Sequence, residues 1–255
     1  MKKHILSKGI FLLFLSLFMP LSLLAQKYNN KLDSIYTSVQ MTPAATLIVG
    51  KDKKYGLMDE TGNLLLAPLI YDDIKPNELN LLTAIQNGKI GILSVQTGRV
   101  IQPCVYDSLC FQVETLEVTD ILAKKNGKWG ITTVDYQHFK ELLPCEYDNL
   151  TYLETDRYIH TYRIKKNNKY GLYNEYNQTP LVYDSIVLMN SIEYGISYFK
   201  VTRNGKEGIV SSTEFEEIIL CVFDKLTMDK NMIVKGLRNG KEISFRLMMG
   251  EIYLL

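Results

Sequence analysis

Along the chain, apolar and polar positions alternate in short runs that never settle into a helical stripe. "TLIV" with "GLMD", and "FKVT" with "GIVS", read as pairs of half-buried strands. Between the members of such pairs stand short polar steps: Asn87-Gly88, Asn126-Gly127, Asn167-Asn168, Asn204-Gly205 and Asn239-Gly240. Asn and Gly accept the positive φ that a two-residue type I′ hairpin demands, so each step predicts a sharp turn. A second turn comes after it, as in "ETGN", "QTGR" and "MMGE". Then comes a third strand and, after a proline or leucine, a fourth short one: "PLIYDDI", "PCVYDSL", "PCEYDNL", "PLVYDSI" and "LCVFDKL".

The pattern repeats around a lysine, a bulky residue and a glycine. The copies fall at Tyr55 and Gly56, Ile90 and Gly91, Trp129 and Gly130, Tyr170 and Gly171, and Glu207 and Gly208, with a worn sixth, "GKEI", ending at Ile243. Successive spacings are 35, 39, 41, 37 and 35 residues, the period of a β-repeat array. An aspartate column runs in parallel: Asp33, Asp72, Asp107, Asp148, Asp184 and Asp224. Counted from one aspartate strand to the next, six units fit, which places boundaries at approximately 31–68, 69–103, 104–144, 145–180, 181–221 and 222–255. The expected fold is all-β, with six tandem repeats of about 37 residues. A propeller-like closed array is preferred because it would bury the apolar end, Leu254 and Leu255, without polar caps; the alternative is an open superhelical array of β-hairpins.

"NGKWGI" followed by "YD" resembles the WG repeat, also called the KWG repeat, a β-rich family found mainly in bacterial proteins. The resemblance covers about residues 31–255. One copy carries the family's Trp, two carry Tyr, one Ile and two Glu. It implies a repeat scaffold and little about mechanism.

Three features invite chemistry, and each has a structural reading. The motif aromatic offers a sugar platform, but Ile90 replaces it and Ile cannot stack as an indole does; burial between neighbouring units serves Trp, Tyr and Ile alike. The glycine after it permits a bulge or a close backbone approach. The aspartates offer one recurring acid per unit, whereas calcium takes six to eight oxygens, so we read them as acceptors for backbone amides at turns, with no metal and no cofactor. Cys104, Cys145 and Cys221 stand where other units have Leu69 and Leu181, and so behave as small apolar residues. Cys110 lies outside that column; it could pair with Cys104, and no obligatory disulfide is expected. His138 and His160 remain once the leader is removed, and no nucleophile elbow, zinc helix, phosphate loop or dinucleotide fingerprint accompanies them. The expectation is that the protein is not an enzyme.

Composition sets the compartment and the partners. Lys2, Lys3 and Lys8 precede an apolar run from Ile10 to Leu24, with Ala25 at a cleavage point, so residues 1–25 read as a secretory signal peptide and 26–255 as the mature repeat domain. The run is too short for a spanning helix, and no stable membrane span is expected after cleavage. Losing three lysines and no acid leaves 26 basic against 28 acidic residues, about −2, with no basic footprint for nucleic acid. The expected location is the periplasm, the outer membrane surface or outside the cell. The expected role is a binding scaffold for an envelope protein or glycan, displayed on variable connections such as "KPNELN", "CFQVETLEVTD", "TYLETDRYIHTY" and "VLMNSIEYGISY". A glycan hydrolase using loop carboxylates and a purely structural spacer are the alternatives.

Overall fold

The computed structural model describes residues 32–77, 81–114, 118–135, 138–153, 160–193 and 196–255. The leader lies outside them. The Asn-Gly and Asn-Asn steps take up the conformation their sequence predicts: φ is 54° and 71° at Asn87 and Gly88, 53° and 77° at Asn126 and Gly127, and 51° and 64° at Asn167 and Asn168. The first sheet makes the same turn from Asp52 and Lys53, at φ 52° and 60°.

Each turn joins the second and third strands of an antiparallel sheet. Six such sheets, numbered 1 to 6 in chain order, span residues 38–71, 73–106, 108–147, 149–173, 185–223 and 225–254. Strands lie side by side in the order they leave the sequence, four to a sheet except for three in sheet 4. There the fourth place holds two isolated bridges, Tyr170 with Tyr183 and Tyr173 with Gln178. Among the described residues there is no helical element, and the protein is an all-β repeat of antiparallel sheets. Sheets 1 and 2 form one compact unit ending at Asp107, and sheets 3 to 6 a second beginning at Ser108.

The sheets change at the aspartates rather than at the prolines. The boundaries expected at 68/69, 103/104, 144/145 and 221/222 fall inside the fourth strands Leu65–Tyr71, Val100–Tyr106, His138–Tyr147 and Glu217–Phe223. Pro68, Pro103 and Pro144 do not end the first three of these strands because they are edge strands, where the missing N–H leaves no ladder bond unmade. Residues after each aspartate therefore open the next sheet as its first strand.

The cores are built between consecutive sheets of a unit. Leu57 and Tyr71 of sheet 1 meet Ile74, Leu82 and Leu93 of sheet 2. Ile131 and Tyr147 of sheet 3 meet Leu150, Tyr162 and Ile164 of sheet 4. Leu172 of sheet 4 meets Phe199, Val201 and Val210 of sheet 5, and Ile209 and Phe223 of sheet 5 meet Val234 and Leu247 of sheet 6. Each large side chain so buried contributes roughly 1.5–3 kcal/mol. The chain end does not obey this rule. Leu254 and Leu255 are 73% and 64% exposed, because the last strand, Glu251–Leu254, lies at the sheet edge with no residue buried. Burial of these two leucines, the expected reason for a closed array, is therefore not realised.

Candidate functional site

The repeated residues converge on the hairpin turns. The lysine just after each turn reaches the aspartate at the close of its own sheet: Lys54 to Asp72 and Lys169 to Asp184 at 2.5 Å, and Lys89 to Asp107, Lys128 to Asp148 and Lys206 to Asp224. The second carboxylate oxygen accepts the backbone N–H of the asparagine in the next turn. That bond is 2.6 Å from Asn87 to Asp72, 2.8 Å from Asn167 to Asp148, 2.7 Å from Asn204 to Asp184 and 3.1 Å from Asn239 to Asp224. One aspartate thus clasps two successive turns, using a charge-assisted bond on each side. The lysine bond first, and then the amide bond, hold the carboxyls of Asp72, Asp148, Asp184 and Asp224 below their usual range.

Asp33 has no such place. It sits in the turn closed by Ile35 and Tyr36 N–H bonding to the Leu32 carbonyl, and is exposed. The equivalent position in sheet 1 is Thr37, whose N–H bonds Gly50 O at 2.7 Å as Asp72 N–H bonds Ile85 O. Thr37 Oγ1 donates to the same Gly50 carbonyl at 2.9 Å. In the turn of sheet 1, Asp52 stands where the other turns have asparagine.

The motif glycines make room for the fourth strand. A Cβ on Gly56, Gly91, Gly130 or Gly208 would lie 2.5–2.7 Å from the carbonyl oxygen of Ala67, Gln102, Leu143 or Ile219. The register jumps at that point: Trp129 pairs with Tyr147 but Ile131 pairs with Leu143. The extra residues bulge over the glycine, as a bare backbone allows. At Gly171, whose sheet lacks a fourth strand, a Cβ would come no nearer than 3.1 Å to Thr179 and 3.3 Å to Leu181.

The bulky residue beside each glycine is half-buried. Tyr55 packs on the core between sheets 1 and 2, Trp129 on that between sheets 3 and 4, and Tyr170 on that between sheets 4 and 5. Cations cover the remaining faces of the last two: Lys124 Nζ stands 5.2 Å from the Trp129 ring centre, and Lys165 Nζ 5.2 Å from that of Tyr170. Ile90 is likewise half-buried. Glu207 joins the next sheet by other means, its Oε2 accepting the Leu226 N–H at 2.5 Å.

All four cysteines are free. The Cys104 and Cys145 thiols donate to the carbonyls of Ala84 and Ala123 at 3.4 Å. Burial pushes the Cys221 thiol up to about 11, which keeps it protonated at neutral pH.

Two polar clusters escaped the sequence reading. His160 Nδ1 lies 2.8 Å from Asp120 Oδ2, and the Tyr162 hydroxyl donates to that same oxygen at 2.7 Å. Burial and the carboxylate push the Tyr162 hydroxyl far up, so it stays a donor. Glu217 receives both Arg203 guanidinium nitrogens, at 2.9 and 3.1 Å, and the Tyr183 hydroxyl at 2.9 Å. Both clusters are enclosed by their own partners. Only His160 and Tyr162, two apart in one strand approach, hinted at the first; nothing local signals Asp120, 40 residues away. Among the described residues no three potential metal ligands gather.

The molecule is thus an all-β repeat protein whose recurring chemistry is spent on joining its own sheets. Residues 55–89 match the family described as WG containing repeat, in agreement with the resemblance read from the motif. No curated protein matches the chain in sequence. Among solved structures, similar folds include the β-propeller domain of the Trilobed protease from Pyrococcus furiosus, described as having an open velcro topology (13% identity, 86% of this chain and 83% of that chain, TM-score 0.27). Kluyveromyces lactis Hsv2p aligns at 8% identity over 83% and 74% of the two chains, TM-score 0.31. Pyrococcus horikoshii acylaminoacyl peptidase aligns at 12% over 86% and 44%, TM-score 0.28.

Proposed function

We propose that the mature protein is an exported, non-catalytic scaffold that holds a protein or glycan partner in the cell envelope. What carries this reading is the contrast between the two edges of the sheets. The turn edge repeats the same clasp from sheet to sheet. At the opposite edge the number of residues separating the first and second strands varies from two in sheet 5 to seven in sheet 4. Variable connections on a fixed frame are where recognition is commonly placed. Toward this edge, between sheets 5 and 6, opens a recess of about 400 Å³ lined by Val187, Leu188, Met189, Lys200, Met228 and Asp229. Among the described residues no helix is long and apolar enough to cross a membrane.

The test is crosslinking and pull-down from the native envelope with the parent protein and with a variant whose residues 154–160 are replaced by the turn sequence of residues 229–232. The variant loses at least one specific partner. Retention of every partner by the exchanged protein overturns the loop-edge assignment. Amino-terminal sequencing of the exported protein should begin at Gln26.

A further inference from the structure

We infer that the turn edge of sheets 3 to 6 is a second binding surface, fitted to a polyanionic glycan. The clasps place four turns side by side: Lys128 through Asp148 to Asn167, Lys169 through Asp184 to Asn204, and Lys206 through Asp224 to Asn239. The sheets whose turns are so joined stack at roughly 10 Å. Along this row Lys128, Lys169 and Lys206 are neutralised by the aspartates, and Lys166 and Arg203 by Glu146 and Glu217. Among the described residues, Lys124, Lys125, Lys165, Arg238 and Lys241 have no acidic partner within ion-pair distance, Lys165 acting on Asp148 from beyond it. Lys241, just after the turn of sheet 6, holds the place of the clasp lysine and is exposed. With Glu242 of sheet 6 paired to Lys235, positive charge exceeds negative along this edge, while Glu175, Glu214, Glu216 and Glu251 stand exposed with Lys140, Lys230 and Arg246 toward the other. A row with an excess of positive charge attracts an extended polymer of opposite charge.

The row also indicates which polyanion. Single-stranded nucleic acid needs free aromatic faces on which bases stack. Here the Trp129 and Tyr170 rings are already covered by Lys124 and Lys165. What the tips present instead are the amides of Asn126, Asn167, Asn168, Asn204 and Asn239, all exposed, with open space around the glycines Gly127, Gly205 and Gly240. Ammonium groups alternating with amide donors and acceptors match a polymer that carries carboxylates and hydroxyls together, as an acidic polysaccharide does. This surface lies opposite the loop edge, and its test is independent of the partner proposed there.

Trp129 is the only tryptophan in the chain and lies on this row, so its emission reports occupancy. The purified protein is titrated with polygalacturonate, with fully methyl-esterified polygalacturonate, with poly(dT) and with phosphatidylglycerol vesicles. Polygalacturonate changes the Trp129 emission saturably, and its affinity falls about tenfold or more between roughly 50 and 200 mM salt as counterions are released less favourably. The esterified polymer, with the same backbone and no charge, leaves emission unchanged. The K125E/K165E/R238E variant weakens polygalacturonate binding about tenfold or more, the corresponding Gln variant weakens it less, and K140E, near the loop edge, binds as the parent does. No response to polygalacturonate, equal binding by both turn-edge variants and the parent, or tighter binding of poly(dT) or of vesicles overturns the inference.

Discussion

After the Asn126-Gly127 turn, sheet 3 continues with Lys128, Trp129 and Gly130; after Asn239-Gly240, sheet 6 continues with Lys241, Glu242 and Ile243. The two turns are alike, and the residues beyond them differ because of the packing each must meet. In sheet 3 the fourth strand bulges over Gly130, and sheet 4 lays its core against Trp129. In sheet 6 the last two strands pair without a register break over Phe245–Met248, and the Ile243 side chain packs on the core between sheets 5 and 6. Position 242 carries no ring to bury, and Glu242 is exposed there with Lys235 3.7 Å away. The motif glycine and aromatic therefore belong to the joint between strands and sheets, whereas the Asn-Gly step belongs to the turn alone.

The largest effect is expected at the buried residue before the aspartate: Tyr147 is 3% exposed in the core between sheets 3 and 4, and Tyr147→Ala costs about 3–5 kcal/mol in urea unfolding. Next comes the bulge. Gly130→Ala forces a Cβ against the Leu143 carbonyl and costs about 1–3 kcal/mol, while Gly171→Ala, in a sheet with no fourth strand, costs less. A similar cost for both would show that the glycine acts through the turn and not through the crossing strand.

The clasp gives a smaller effect with a pH signature. Asp72, Asp148, Asp184 and Asp224 have folded-state values below those of the unfolded chain, so in acid the unfolded state binds more protons. Their contribution is complete above the unfolded carboxylate value, about 3.9, and is lost as pH falls through the lower folded values. Melting curves from about pH 5 downward should show Asp148→Asn less stable than the parent at the start and converging with it in stronger acid. Asp33→Asn, which touches no clasp, gives the smallest effect, a melting curve superimposable on that of the parent. A loss from Asp33→Asn equal to that from Asp148→Asn would mean that the column acts through general charge rather than through the turn contacts.

The turns, the strand content and the repeat period were legible because each depends on residues within a few positions of one another. The positive φ at Asn126 and Gly127 is written in those two residues. The place where one sheet ends and the next begins was not, because proline reads as a terminator until the edge strand that tolerates it is known. Asp33 resembles a member of the aspartate column by its neighbours "LDSI", yet membership is decided by a lysine 18 to 20 residues before in most sheets and by a turn amide after. Thr37 fills the place without sharing the letter. Asp120 with His160 was invisible for the same reason: the contact spans two sheets, and neither residue advertises the other.

If each aspartate ties one turn to the next, amide hydrogen exchange at the turn tips will register it residue by residue. Asn87, Asn167, Asn204 and Asn239 are exposed, so without the clasp their N–H groups would exchange as freely as those of any surface turn. Slowed exchange is expected at all four, with selective loss of protection at Asn167 alone when Asp148 is changed to Ala. Fast exchange at these four amides in the parent protein, or an Asp148→Ala variant that leaves Asn167 protected, would contradict the clasp.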